Sequence, residues 1–435
     1  MSLPYAPIIC LAVGSVVILG LAVPLTGRSV SASLIGALAA IAAGVSGFYT
    51  AGGATQLVVY AVAAFLIVAL TVIPSFELQY PQQRPETVAL LLLAGTGAII
   101  LATGGDLLQL AIGMETLSLS SALLVVLGRG EATAEAAFKY FVLAAVSLTS
   151  LVYGLGLIYL STGSVAFPSA GAGSASVLVA AGVVLMTAGF AFELALVPLH
   201  WGALDAYSAA APAAAGSIMA LAKLGAVVAI FRLAPSAGNS YLFVLAMVGL
   251  LTVVWGTLAA LGQREIRRLL AYSAIAHAGF LAMGIGSGAA GRQAALFYVV
   301  VYGATALLIF AALSGLGPEP IRFADLPRRL GPQRTLAVCF GLMSLAGIPP
   351  LPGFWAKLAL FRPVWQALGP VPTAIGIAGA VAAAVYYLTP VPDLWNNLRL
   401  PGIPRPAGNA GVVLAGILVV FFTIVPGFVW ALAAL

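Results

Sequence analysis

The 435 residues are 62% hydrophobic and only 7% charged, too little polar sequence to cover a water-soluble core of this size, so a soluble globular protein is excluded. The net charge of +6 comes from bases scattered over short loops, without a patch interleaved with aromatics, which excludes a nucleic-acid binder. A spanning helix needs about 20 apolar residues, and the chain divides into about fourteen such stretches, which predicts an all-α polytopic membrane protein with no soluble domain.

The predicted helices begin with runs near 5–25, 29–48 and 54–73, none holding an ionisable group. The first run opens without a basic leader or a small-residue cleavage site and is expected to be retained as a helix. After the polar loop FELQYPQQRPE come helices near 87–104 and 106–127, the second containing Glu115. The segment 134–160 starts with Glu135 and Lys139 one helical turn apart, the spacing of an ordinary i,i+4 pair. A Gly/Ser-rich loop leads to LMTAGFAFELALVPLHWGALDAY, an apolar stretch that carries Glu193, breaks at Pro198 and passes through His200 and Asp205. A helix holding Lys223 follows to about 233, then a run near 240–262, the basic connector QREIRRLL, the stretch AYSAIAHAGFLAMGIG with His277, and a helix near 293–314. A loop carrying Arg322, Arg328, Arg329 and Arg334 precedes a second broken helix, CFGLMSLAGIPPLPGFWAKLALF, with Lys357 after its proline cluster. Runs near 372–390 and 410–432 close the chain.

Topological and titratable charge separate. The loops after odd-numbered helices hold Arg28, Arg84, Arg129, Arg264, Arg267, Arg268, Arg322, Arg328, Arg329, Arg334, Arg399 and Arg405, against Arg232, Arg292 and Arg362 on the other side. This positive-inside bias predicts both termini on the periplasmic side. Lys139, Lys223 and Lys357 are all the lysines, and each falls in or at the start of a predicted helix. Arginine is in effect always charged, whereas a buried lysine can exchange its proton. An ionisable group at bilayer depth is rarely present without a polar path or partner to serve, so small-ion transport is the expected activity. The two Pro-broken helices lie five helices apart, which suggests two inverted five-helix repeats, each with an ion site where the helix unwinds. The expected organisation is 1–86, three N-terminal helices; 87–233 and 234–390, the two repeats; and 391–435, a loop and last helix. Cys10 and Cys339 stand alone, and no CxxC, paired-histidine motif or Gly-rich dinucleotide loop occurs, so neither a metal nor a cofactor is expected on this chain.

Four stretches, EAAFKYFVLAAVSLTSLVYGLGLIYLSTGS, GFAFELALVPLHWGALDAY, REIRRLLAYSAIAHAGF and LMSLAGIPPLPGFWAKLALF, together resemble the antiporter-like subunit N family of proton-pumping NADH-quinone oxidoreductase, respiratory complex I. The wider superfamily includes multisubunit sodium/proton antiporters and membrane-bound hydrogenases. The resemblance runs from about residue 87 to 390. It implies fourteen helices, inverted repeats and a central row of charged residues onto which Glu115, Lys139, Lys223, His277 and Lys357 map. It also implies that NADH, flavin, iron–sulfur clusters and quinone reside on partner subunits, among them other antiporter-like membrane subunits, in a bacterial inner membrane. Glu193 departs from the family, which has a lysine five residues before this proline.

The site expected from the sequence is therefore Glu115, Glu193, Lys223, His277, Lys357 and Lys139. For Lys223 and Lys357 the alternative is snorkelling to an interface, which their place well inside apolar runs opposes. Glu193 is either a packing acid in a half that has lost function or a proton carrier, and if it lies within several Å of Glu115 the two acids share a low-dielectric site and titrate in two steps. On that reading Glu193→Lys would offer Glu115 an opposite charge and support pumping in part. His277 is either a row member or a neutral histidine bonded to a nearby serine. His200 and Asp205 are read as caps of the loosened helix ends, and Arg264 to Arg268 as a topological anchor. Three functions stay open: a proton-translocating subunit of the oxidoreductase, a sodium/proton antiporter or hydrogenase subunit, and a membrane scaffold whose N-terminal half no longer conducts.

Overall fold

The computed structural model describes residues 5–21, 29–72, 84–128, 130–317, 319–396, 398 and 409–434. Arg28, Arg129, Arg399 and Arg405 of the topological count lie outside these residues, as does most of the loop before residue 84. The described chain is helical, with two isolated bridges, Asp106 to Ala166 and Glu265 to Arg322, and no strand. The N-terminal helices are α1 (Ala6–Gly20), α2 (Ser29–Thr50) and α3 (Gly53–Val72). They are followed by α4 (Arg84–Thr103), α5 (Leu107–Val126), α6 (Glu131–Thr162) and α7 (Val177–Leu194). After a break come α8 (Trp201–Ala209), α9 (Pro212–Leu233), α10 (Asn239–Leu261), α11 (Ile266–Ile285) and α12 (Gly288–Leu313). A second interrupted pair, α13 (Pro332–Ala346) and α14 (Pro352–Leu368), leads to α15 (Pro370–Leu388), α16 (Asn409–Ile424) and α17 (Pro426–Ala434).

Among the described residues, eleven helices are long and apolar enough to cross a membrane, or twelve with α16 and α17 taken as one bent span. The difference from fourteen lies in α1 and in the α13–α14 pair, whose 15, 15 and 17 residues are individually short. The expected single run near 410–432 is bent by 81°, because Pro426 offers no N–H to continue the helix and drives Val425 out of helical geometry. Helices that are apolar all round have no soluble face to show, and their burial sorts them: the apolar window of α12 is 100% buried and that of α9 94%, against 28% for α2 and α6. Thus α9 and α12 form the centre, packed on each other, and α2 and α6 lie outside.

Without a hydrophobic drive between helices in lipid, small residues set how closely they approach. Gly154 and Gly182 bring α6 onto α7, and Gly249 and Gly279 bring α10 onto α11, with backbone meeting backbone at both crossings. A methyl at Gly279 would stand 2.5 Å from both the Gly249 carbonyl and the Val253 nitrogen, so Gly279→Ala must part the helices, an overpacking cost of about 1–3 kcal/mol. The expected result is a drop of several degrees in the midpoint of heat inactivation, absent in Gly262→Ala, where the added methyl meets open space.

Candidate site at two helix breaks

Both interruptions end in the same backbone motif. After α7, Ala195 adopts φ 65°, its N–H donates to Phe192 O, and the Leu196 N–H reaches back to Ala191 O at 2.9 Å. After α13, Gly347 adopts φ 87° and the Ile348 N–H reaches Met343 O at 3.1 Å. These are Schellman closures, which satisfy the earlier carbonyls of a helix end and leave the last ones exposed. Proline follows each closure, at 198 and at 349, 350 and 352.

The two buried lysines take those last carbonyls. Lys223, wholly buried on α9, donates from Nζ to Leu194 O at 2.8 Å. Lys357, buried on α14, donates to Leu345 O at 2.7 Å and Ala346 O at 2.9 Å. An ammonium set against helix C-terminal carbonyls meets the negative end of the helix dipole. Gly347 makes room for it, since a Cβ there would lie 3.2 Å from Lys357 Cδ. Neither lysine snorkels to an interface.

Around Lys223 stand the groups of the first break. Glu193 is buried and its Oε1 accepts from Tyr140 Oη at 2.9 Å, while Oε2 and the neighbouring Ser118 Oγ are buried without a hydrogen-bond partner. Lys223 Nζ bonds the carbonyl of Leu194, the residue next to Glu193, and Glu115 is half-buried on α5. The Tyr207 ring centroid lies 5.9 Å from Lys223 Nζ. On α11, His277 is held at both nitrogens, Nδ1 with Tyr298 Oη at 2.8 Å and Nε2 with Tyr387 Oη at 3.0 Å. A neutral imidazole has one donor and one acceptor, so one phenol donates to it and the other accepts. Serine enters only through Tyr387, which bonds Ser273.

Lys139 stands apart from this row. Its side chain is 48% exposed and pairs with Glu135 at 2.7 Å and Asp205 at 3.0 Å, over an open depression whose charged lining also includes Glu265, Arg267 and Arg268. Asp205 therefore ties α8 to α6 and does not cap a helix. His200 does not cap either: Trp255 Nε1 donates to its Nε2 at 3.1 Å, and α8 starts without a side-chain cap. The arginines also do more than mark topology. Arg334 lies in the first turn of α13, not in a loop, and donates to Ser314 O at 2.6 Å and to Asn409 Oδ1 at 3.1 Å. Arg267 is buried and binds the carbonyls of Gly317 and Glu319, both at 2.8 Å.

Sequence reasoning missed the phenols. Tyr140, Tyr207, Tyr298, Tyr302 and Tyr387 all line the row and are buried. The available signal was their place inside apolar runs, since aromatic belts put tyrosine at membrane interfaces. Glu193, Lys223, His277 and Lys357 are all buried, and phenols stand beside Glu193, Lys223 and His277.

Comparisons with known proteins agree with this architecture. The family model described as NADH:quinone oxidoreductase/Mrp antiporter, TM, matches residues 104–382. NADH-quinone oxidoreductase subunit N of Deinococcus radiodurans is 34% identical over 380 residues, covering 82% of this chain and 77% of that protein. NADH-quinone oxidoreductase subunit 14 of Thermus thermophilus is 35% identical over 358 residues, covering 81% of each. A chain of respiratory complex I from Thermus thermophilus with bound aureothin superposes with a TM-score of 0.84 at 30% identity over 98% of this chain and 99% of that one. A chain of the Mrp complex from Dietzia sp. shares the fold at 20% identity, with a TM-score of 0.86 over 100% and 97%. With a family model spanning well over half of its length and NADH-quinone oxidoreductase relatives above 30% identity, this multi-pass membrane chain belongs to the NADH:quinone oxidoreductase/Mrp antiporter family of antiporter-like membrane subunits.

Proposed function

We propose that the chain is the proton-translocating subunit N of a bacterial NADH-quinone oxidoreductase, passing protons along Glu193, Lys223, His277 and Lys357, with Glu115 at the flank. In this reading α1, the α13–α14 pair and the α16–α17 pair each count as one crossing, which gives fourteen spans. Residues 87–233 and 234–390 are the inverted repeats. The subunit sits in the inner membrane beside other antiporter-like subunits, with both termini periplasmic, and carries no redox centre. Its energy comes from quinone reduction on partner subunits.

The observation that carries this reading is the shared seat of the two lysines, each bonded inside an apolar core to the carbonyls that a broken helix leaves over. Breaks of this kind are tolerated in a membrane where they line a polar interior. A buried amine gains a proton when a carboxylate or hydrated route favours the ammonium and gives it up when a neighbour becomes charged. Lys139 and Asp205, on the arginine-rich end, mark the aqueous entrance. Because the relatives reported above 30% identity bear the NADH-quinone oxidoreductase name and the Mrp likeness is at 20%, proton translocation is favoured over sodium exchange. The test is NADH-driven acidification of vesicles holding the purified complex in sodium-free medium. Acidification without sodium is expected, and uptake that requires sodium would point to the antiporter instead.

A further inference from the structure

We propose that the hydroxyls of Tyr207 and Tyr302 carry protons between the Glu193–Lys223 site and the His277–Lys357 site. This rests on the proton-translocating reading above and names side chains outside the charged row. The two sites belong to different helices, and a neutral hydroxyl stands beside each of them, Tyr207 at Lys223 and Tyr302 at His277.

Tyr207 and Tyr302 have the chemistry and the place. A phenol can accept on its oxygen and release its own proton on the other side. In such a transfer the N–H of the donor ammonium breaks as an O–H forms, the original O–H breaks towards the next base, and the tyrosine ends with one O–H as it began. Tyr207, on α8, is fully buried beside Lys223, with its ring centroid 5.9 Å from Nζ. Tyr302, on α12, stacks on His277 with ring centroids 4.8 Å apart. The Tyr302 hydroxyl points at α9, the helix of Lys223, where Met219 lies one turn before the lysine. Tyr302 also lines a cavity of about 10 Å³ with His277, Tyr298, Thr305, Ser344 and Lys357, about the room one water centre needs.

Their hydrogen bonding separates them from the other phenols of the row. Tyr140, Tyr298 and Tyr387 are each committed to a carboxylate or imidazole partner at 2.8–3.0 Å. Tyr207 Oη is buried with no hydrogen-bond partner, and Tyr302 Oη reaches only the Met219 thioether at 3.8 Å, a weak acceptor. Both oxygens can therefore take up a proton or a water and pass one on, which phenylalanine in either place could not do while keeping the ring.

The test uses the assembled complex in vesicles, with Tyr207→Phe, Tyr302→Phe and, as the control for the underlying reading, Lys357→Ala. Each Phe variant should assemble and pump at least about tenfold more slowly per complex, the scale of a lost proton-transfer group. A ring-difluorinated tyrosine at position 302, whose hydroxyl is more acidic, should keep pumping but move its pH profile towards acid, a change that a packing role would not produce. Wild-type pumping in both Phe variants beside an inactive Lys357→Ala would overturn the phenol link and leave the reading standing. Normal pumping in Lys357→Ala as well would remove both. Should a Phe variant fail to assemble, the fluorinated chain decides, and an unmoved pH profile there overturns the proposal.

Discussion

Replacing Lys223 or Lys357 with alanine should lower NADH-driven proton pumping by at least about tenfold per assembled complex, the scale expected when a group that transfers a proton is removed. Each change deletes an amine and also strips helix-end carbonyls of their donor, at about 1–3 kcal/mol for each orphaned group. Assembly must therefore be read alongside pumping. Lys357→Arg separates the two effects. A guanidinium is able to bond the same carbonyls yet does not release its proton, so this variant should assemble and still fail to pump. Lys139→Ala is the comparator: it removes an exposed ion pair, a kind of contact that contributes little, and should leave pumping within about twofold of wild type. Full pumping in the Lys223→Ala/Lys357→Ala double variant, read with a pH-sensitive dye, would sink the assignment of the row.

Glu193→Gln should reduce pumping at least about tenfold while leaving the fold in place, because the amide oxygen still accepts the Tyr140 hydroxyl and only the charge and the exchangeable proton are lost. Unimpaired pumping would mean that Glu193 is a packing acid and that the N-terminal half is a scaffold. The structure revises what to expect of Glu193→Lys. Since Lys223 Nζ is seated at Leu194, next to Glu193, a lysine here places two ammonium groups in one low-dielectric site. It also reverses the Tyr140 contact, since an ammonium donates and the phenol oxygen must then accept. This variant should pump less than Glu193→Gln. The pair to examine by double-mutant cycle is Glu193 with Lys223, which bonds the carbonyl of the residue next to Glu193, and non-additivity of Glu193→Gln and Lys223→Ala is expected for sites this close.

Local pattern told most where one helix or one break held the information. The apolar runs, the Pro-interrupted segments and the buried lysines could all be read along the chain, because length, punctuation and charge are properties of a single stretch. Partnerships across the fold could not. His200 and Asp205 were plausible caps by position, but Trp255 and Lys139, 55 and 66 residues away in sequence, hold them instead. Arg334 reads as a loop base until the carbonyl of Ser314 comes to it. The carbonyls that seat the lysines carry no sequence signature of their own, since any residue supplies one. Tyr207 and Tyr302 likewise read as ordinary apolar filling until the fold sets them beside Lys223 and His277. The span count differs because α1, α13 and α14 are shorter than a full crossing.

The two carbonyls that hold Lys357 bear on how it behaves after losing a proton. A protonated amine is tetrahedral, with one corner on its own chain and three N–H donors, and Leu345 and Ala346 occupy two of those donors. A neutral amine still has two N–H groups. Both contacts can therefore persist through deprotonation, and the corner that changes between proton and lone pair is the one left for the cavity shared with His277 and Tyr302. Lys357 thus has no need of a new rotamer to switch from acid to base. Lys223, with a single carbonyl at Leu194, has one more free corner and correspondingly more freedom to turn between Glu193 and Tyr207, so of the two lysines it is the one whose orientation neighbouring charges can steer.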